Sequence, residues 1–230
     1  MFLSIFLQLI TNQAESTDII PEQTTLSAID LAIKGGWVMI ILALLFVIAV
    51  FIFFERFKTL RNASKEDANF MNRIKDYIHE GKVESATALC QSTNNPIARM
   101  IEKGISRLGR PLNDINATIE NIGNLEISQL EKGLPTLATI SGGAPMIGFL
   151  GTVIGMIHAF YDMASAGNNI DVQLLANGIY TAMVTTVGGL IVGILAFFAY
   201  NYLVAKVEKV VYKMEARTTE FMDLLNEPVN

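Results

Sequence analysis

Four threonines fall where a membrane would leave few polar groups. Thr152 lies in GFLGTVIGMIHAF (148–160), and Thr181, Thr185 and Thr186 lie in GIYTAMVTTVGGLIVGILAFF (178–198). A hydroxyl both donates and accepts, so several side by side make a narrow polar path for an ion. The competing reading is that each hydroxyl bonds the carbonyl one turn back on its own helix, as a lone intramembrane threonine does. Grouping favours the path, because each threonine lies near a stripe of small residues. Pro145, Gly148, Thr152, Gly155 and Ala159 recur at steps of three and four and so share one helix face; Gly178, Ala182, Thr185, Gly189, Gly193 and Ala196 do the same. Small-xxx-small stripes such as GTVIG and GLIVG let membrane helices approach closely. Pro145, Gly148, Gly151, Gly155, Gly178, Gly189 and Gly193 are therefore expected packing positions.

What such a path would carry is constrained by what is missing from it. The two stretches contain no carboxylate, and His158 sits near one end, one turn before Asp162. Intramembrane proton relays ordinarily run through Asp, Glu or His. Either the hydroxyls help coordinate a metal cation, or a partner helix brings a carboxylate to them.

The elements that position these residues follow from the charge pattern. Of the 230 residues 51% are hydrophobic, and they come in blocks: no Asp, Glu, Lys or Arg occurs over 35–54, 133–161 or 172–205. A helix needs roughly 20 apolar residues to cross a ~30 Å hydrocarbon layer, so the chain reads as an all-α membrane protein with three transmembrane helices. All the Lys and Arg except Lys34 lie in 55–134 or 206–230, and cytoplasmic flanks carry that excess. The expected order is an outward segment (1–33), span 1 (34–54), a cytoplasmic helical domain (55–134), span 2 (135–161), an outward loop (162–172), span 3 (173–203) and a cytoplasmic C-terminal helix (204–230).

Within the outward segment, MFLSIFLQLI lacks the basic start of a signal peptide, and Ser4 and Gln8 share one face, so an interfacial helix is the preferred reading. In the cytoplasmic segment Ser64 and Asp67 suggest a helix start and Gly81 a stop. Further helices are expected over 83–91, before STNNP, and 97–108, before GRP. From Asn113 the apolar spacing stays helical into span 2, which predicts one helix of about 50 residues to Asp162 with Pro135 and Pro145 bending it. The third span and its basic tail likewise project into the cytoplasm. Two long helices side by side invite oligomerisation.

The remaining polar residues have simpler readings. Cys90 is the only cysteine, which excludes a disulfide within the chain. His79 precedes a helix-ending glycine and reads as solvated; Trp37 and Lys34 read as interfacial anchors of span 1. Glu55 and Arg56 mark its inner end, either snorkelling or pairing with the long helices. The net charge of −5 with mixed signs offers nothing to a nucleic acid. No nucleophile with a base, metal cluster or phosphate loop is present, so no enzyme and no cofactor are expected.

APMIGFLGTVIGMIHAF (144–160) and GIYTAMVTTVGGLIVGILAFFAYN (178–201) resemble the paired signature of the MotA/TolQ/ExbB family, the channel-forming subunits of ion-driven bacterial inner-membrane motors. The resemblance covers about 35–210. Three spans look like the ExbB and TolQ branch rather than four-span MotA, and the long outward segment favours ExbB. It implies a homo-pentamer around two copies of an ExbD-like single-span protein whose membrane Asp faces the hydroxyls, and a TonB-like protein that carries work to outer-membrane transport. By motif position Thr152 and Thr186 match the family's pore threonines. Enteric ExbB proteins carry a glutamate where this chain has Thr181, and the adjacent Thr185 and Thr186 look more like sodium-driven stators. The transported ion is thus H+ or Na+. A TolQ-like role in envelope constriction and a passive membrane scaffold are the alternatives.

Overall fold

The computed structural model describes residues 35–65, 67, 69–165 and 172–226. The expectations for 1–33, for Lys34 and for most of the 162–172 loop lie outside them. Seven helices order the described residues: α1 (Gly36–Ala63), α2 (Phe70–His79), α3 (Val83–Ser92), α4 (Pro96–Ile105), α5 (Leu112–Glu131), α6 (Leu134–Ser165) and α7 (Val172–Asn226). Three stretches are long and apolar enough to cross a membrane: α1, α5 with α6, and α7. At ~1.5 Å per residue α7 is ~80 Å long, more than twice a ~30 Å hydrocarbon core. It runs antiparallel to α6 and α5, and α1 packs along α7.

Two boundaries differ from the sequence reading. The stretch expected as one helix from Asn113 to Asp162 is broken at Lys132 and Gly133, where Gly133 takes φ +86°. In an unbroken helix Pro135 would leave the Glu131 carbonyl without its donor and push its ring against it. The break moves Pro135 into the first turn of α6, where no donor is required, and Gly133 O accepts from Leu137 N (3.2 Å). Pro145, by contrast, stays inside α6, which continues through it. The second difference lies after span 1: α1 runs on to Ala63 with Ser64 as its C-cap, and α2 begins only at Phe70, where Asp67 O accepts from Phe70 N (2.9 Å). The turn at STNNP is explained by Asn95, whose buried side chain accepts from Ala98 N (2.7 Å) while Pro96 fills the first helical position.

Arg56 fixes the broken end. Its guanidinium is buried, and Nη1 donates to Gln129 O (3.0 Å) near the C-terminus of α5, a favourable place for a cation. Of the two sequence readings for Arg56, pairing with a long helix is the one realised. A second clamp joins α4 to α5, where Arg99 Nε and Nη2 donate to the buried Glu126 at 2.6 and 2.5 Å. That hydrogen bonding raises the Arg99 pKa above its ordinary value.

Beyond the spans, α4 packs on α5 and the far half of α7, α2 touches α7, and α3 packs on α2 and α4. Phe70, Ile74, Ile101, Ile119, Met214 and Phe221 are fully buried there. Gly104 lets the layers meet, since a Cβ on it would lie 2.7 Å from the Phe221 ring and 2.8 Å from Ile119 Cδ1. Cys90 lies in the same layer, 2% exposed, and burial pushes its thiol pKa up to about 12. The thiol is held in its protonated form at pH 7. Maleimide labelling of the native protein at neutral pH should therefore be at least about a hundredfold slower than in denaturant. Labelling at the free-thiol rate would mean that this layer is open.

Candidate functional site

The two small-residue stripes meet each other. Each step of three or four residues up α6 is met by a step of three or four down α7, so Pro145 faces Gly193, Gly148 faces Gly189, Gly151 faces Thr185, Gly155 faces Ala182 and Ala159 faces Gly178. At the centre the backbones touch: a Cβ on Gly189 would lie 2.6 Å from Ala144 O and 2.9 Å from Gly148 Cα, and one on Gly148 2.8 Å from Thr185 O. The Cα hydrogens thus point at carbonyls of the opposite helix, a recurrent weak contact between closely packed helices. Gly193 lies against the Pro145 ring and 3.0 Å, measured from its Cβ position, from Ser141 O. Ser141 is the residue whose carbonyl Pro145 leaves without a helical donor. Every predicted packing position lies in this contact.

The crossing brings three of the four threonines together, two of them at one backbone oxygen. Thr185 and Thr186 Oγ1 each lie 3.2 Å from Gly148 O, and Thr152 Oγ1 lies 3.3 Å from Thr186 Oγ1. Thr152 also donates to Phe149 O (2.5 Å), and Thr185, which is buried, donates to Ala182 O (2.7 Å). Each hydroxyl has one proton and two lone pairs. With the protons directed at Phe149 O and Gly148 O, the half-buried Thr152 and Thr186 present two acceptor oxygens side by side. That arrangement suits a cation, a hydronium or the O–H of a protonated carboxyl group. The i−3 bonds of Thr152 and Thr185 are the ordinary intrahelical satisfaction weighed from sequence; they engage the proton and leave lone pairs.

Thr181 is not part of this group. It lines a cleft of about 400 Å³ between the ends of α1, α6 and α7, together with Trp37, His158, Asp162, Asn177 and Thr185. Thr152 and Thr186 are not in its lining. The single path expected from four threonines is thus a pair at the crossing and a separate cleft, with Thr185 touching both.

Sequence reasoning missed Gly188, Asn177 and the Gly148 carbonyl. A Cβ on Gly188 would meet Met39 at 3.0 Å and Leu42 at 3.7 Å, so this glycine seats α1. Adjacent helical residues point about 100° apart, and the doubled glycine was itself the signal that α7 has two close neighbours. Asn177 stands one residue before a stripe glycine and had no partner pattern to mark it. A backbone carbonyl leaves no trace in residue types.

Comparison with known proteins places these residues in context. Residues 92–216 match the model of the MotA/TolQ/ExbB proton channel family. The Tol-Pal system protein TolQ of Haemophilus influenzae is 31% identical over 218 residues, 87% of this chain and 94% of that protein. A biopolymer transport protein ExbB homolog of Methanothermobacter thermautotrophicus is 27% identical over 183 residues, 79% of this chain; the match spans 64% of that relative's length. The biopolymer transport protein ExbB of Aquifex aeolicus is 36% identical over 88 residues, 38% of this chain and 59% of that protein.

The crossing makes a contrast between glycines testable. Gly189→Ala must push backbones apart, whereas a Cβ on Gly142 meets nothing within 4 Å. Overpacking costs about 1–3 kcal/mol, so Gly189→Ala should lower the thermal unfolding midpoint of the detergent-solubilised protein, and Gly142→Ala should leave it unchanged. Equal midpoints for the two would mean that the helices are not in backbone contact.

Proposed function

The chain belongs to the MotA/TolQ/ExbB proton channel family, and from that membership we propose that it is the channel-forming subunit of an ion-driven inner-membrane motor of the ExbB–ExbD type. The observation that carries the reading is the paired acceptor oxygens of Thr152 and Thr186 at the glycine crossing. They receive the ion, or the protonated carboxyl group that bears it, as it loads and leaves an Asp on an ExbD-like single-span partner. The uncharged runs 133–161 and 172–205 hold no carboxylate, and intramembrane proton transfer ordinarily uses one, which the partner would supply. Five copies of the chain around two copies of the partner would bring several such pairs to one axis. The N-terminus faces outward and the C-terminus the cytoplasm, as the basic residues beyond the spans support. Ion passage shifts the inner helices, and a TonB-like protein passes the work to outer-membrane transport.

A TolQ-like role in envelope constriction is the second reading, favoured by the match to nearly the full length of the Haemophilus influenzae TolQ. The passive scaffold differs from both in needing no hydroxyl. Deleting the gene separates the motor roles: loss of energised uptake of a TonB-dependent substrate marks the first, and chained cells with a leaky envelope the second.

Thr152→Val and Thr186→Val keep side-chain size and remove the oxygen. A hydrogen bond to a charged group contributes roughly 1.5–3 kcal/mol, so each variant should lower the motor-dependent activity by about tenfold or more while assembling normally. Wild-type activity in both would leave the stripe as packing alone. Measured with sodium replaced by potassium, activity should persist for a proton-driven unit and collapse for a sodium-driven one.

A further inference from the structure

The groove between α1 and α7 changes character along its length. Its apolar part, about 600 Å³, is lined by Phe46, Phe53 and Phe57 from α1 and by Leu195, Phe198 and Tyr202 from α7. Phe57 and Tyr202 stack at its end, with centroids 6.2 Å apart and rings inclined by 25°. Those same two rings also line an adjoining cavity of about 600 Å³, whose cations are Arg61 at the end of α1, Lys65 just past it, and Lys206, Lys209 and Lys213 from α7. No carboxylate lines that cavity among the described residues.

Three features of this composite groove select its occupant. From Phe46 to Phe57, and from Val192 to Tyr202, each helix rises ~15 Å, the depth of one leaflet of a ~30 Å hydrocarbon core. The cations start with Lys206, directly past the uncharged run of α7, and with Arg61, two turns past that of α1, so they lie toward the membrane face where lipid phosphates lie. They are also gathered: Lys206 Nζ sits 5.5 Å from the Tyr202 ring centre, and Lys213 Nζ donates to Ser64 O at 3.4 Å. Basic residues near helix ends commonly snorkel singly toward water. Here Arg61, Lys65, Lys206 and Lys209 converge on one cavity, where their combined charge attracts an anion, and basic pockets between membrane helices hold anionic head groups.

We infer that this groove binds an anionic phospholipid, with an acyl chain along the aromatic rings and the head-group phosphate among Arg61, Lys65, Lys206 and Lys209. The site is separate from the threonine pair, and its failure would leave the ion-path reading untouched.

Native mass spectrometry of the complex, extracted in mild detergent and supplied with phosphatidylglycerol or with phosphatidylcholine of the same chains, tests it. Wild type should retain phosphatidylglycerol in preference to phosphatidylcholine, and inorganic phosphate should not displace it. Lys206→Gln/Lys209→Gln should weaken retention about tenfold or more; Arg61→Gln/Lys65→Gln, on the other helix, gives the same readout should the first pair fail to assemble. Ala199→Phe, which fills the apolar part and keeps every cation, should weaken it too. Retention unchanged by the charge variants, or no preference over phosphatidylcholine, overturns the proposal. Retention unchanged by Ala199→Phe, or displacement by phosphate, reduces the site to a bare anion cluster and overturns the lipid. A wild type that retains no lipid means that a neighbouring chain fills the groove, which also overturns it.

Discussion

The structure depends on one steric constraint, the contact of Gly148 with Gly189. No side chain larger than hydrogen fits there, because what it would meet is backbone: Ala144 O on one side and Thr185 O on the other. That contact sets the register of α6 against α7, and the register decides everything placed along them. One turn from it Thr152 and Thr186 come within 3.3 Å, and another turn away Gly193 accommodates the Pro145 ring. The close approach also replaces what the membrane cannot supply. A hydroxyl or carbonyl in hydrocarbon has no water to bond, and here Gly148 O accepts from Thr186 of the opposite helix, with Thr185 Oγ1 also 3.2 Å away.

The crossing was legible because small residues at helical spacing have few other uses in a membrane, and in the structure the residues so spaced on α6 and α7 lie against each other. Uncharged runs located the three spans for the equally direct reason that charge is costly in hydrocarbon. The helix break at Lys132 and Gly133 was not legible from periodicity, since the apolar spacing continues across it; Gly133 followed by Pro135 was the available signal, and a proline alone was read as a bend. The four threonines were separated in space by rotation: Thr185 and Thr186 are neighbours in sequence, yet one is buried toward Gly151 and the cleft while the other meets Thr152. Residue types do not report which way a hydroxyl proton is directed, and the geometry around Gly148 O rests on that.

The two long helices differ in how they transmit a displacement. α7 continues without interruption from the crossing to Phe221, which is fully buried and packs against Gly104 of α4, so one unbroken helix connects the threonines with that layer. The path through α6 meets the turn at Lys132 and Gly133 before reaching α5. Arg56 spans that turn from α1 by its bond to Gln129 O, and the Arg99–Glu126 pair ties α5 to α4 beyond it. The α6–α5 path thus contains one glycine at φ +86° where a backbone change would fall, and α7 has no such break among its described residues.

On the proposed reading the paired hydroxyls gain from being weak. A hard cation takes about six oxygens, and Thr152 and Thr186 offer two, so neither a bare ion nor a hydronium is held there without water or a partner's carboxylate. A site that bound strongly would trap the ion, and conduction requires that it leave again. One charge crossing 100 mV releases ~2.3 kcal/mol, which a hydrogen bond to a charged group, roughly 1.5–3 kcal/mol, would absorb if it were made and not broken. Two acceptors whose own protons stay on Phe149 O and Gly148 O give a contact that forms and dissolves without rebuilding either helix. Most of the ion's energy is then left to move the helices instead of to free the ion.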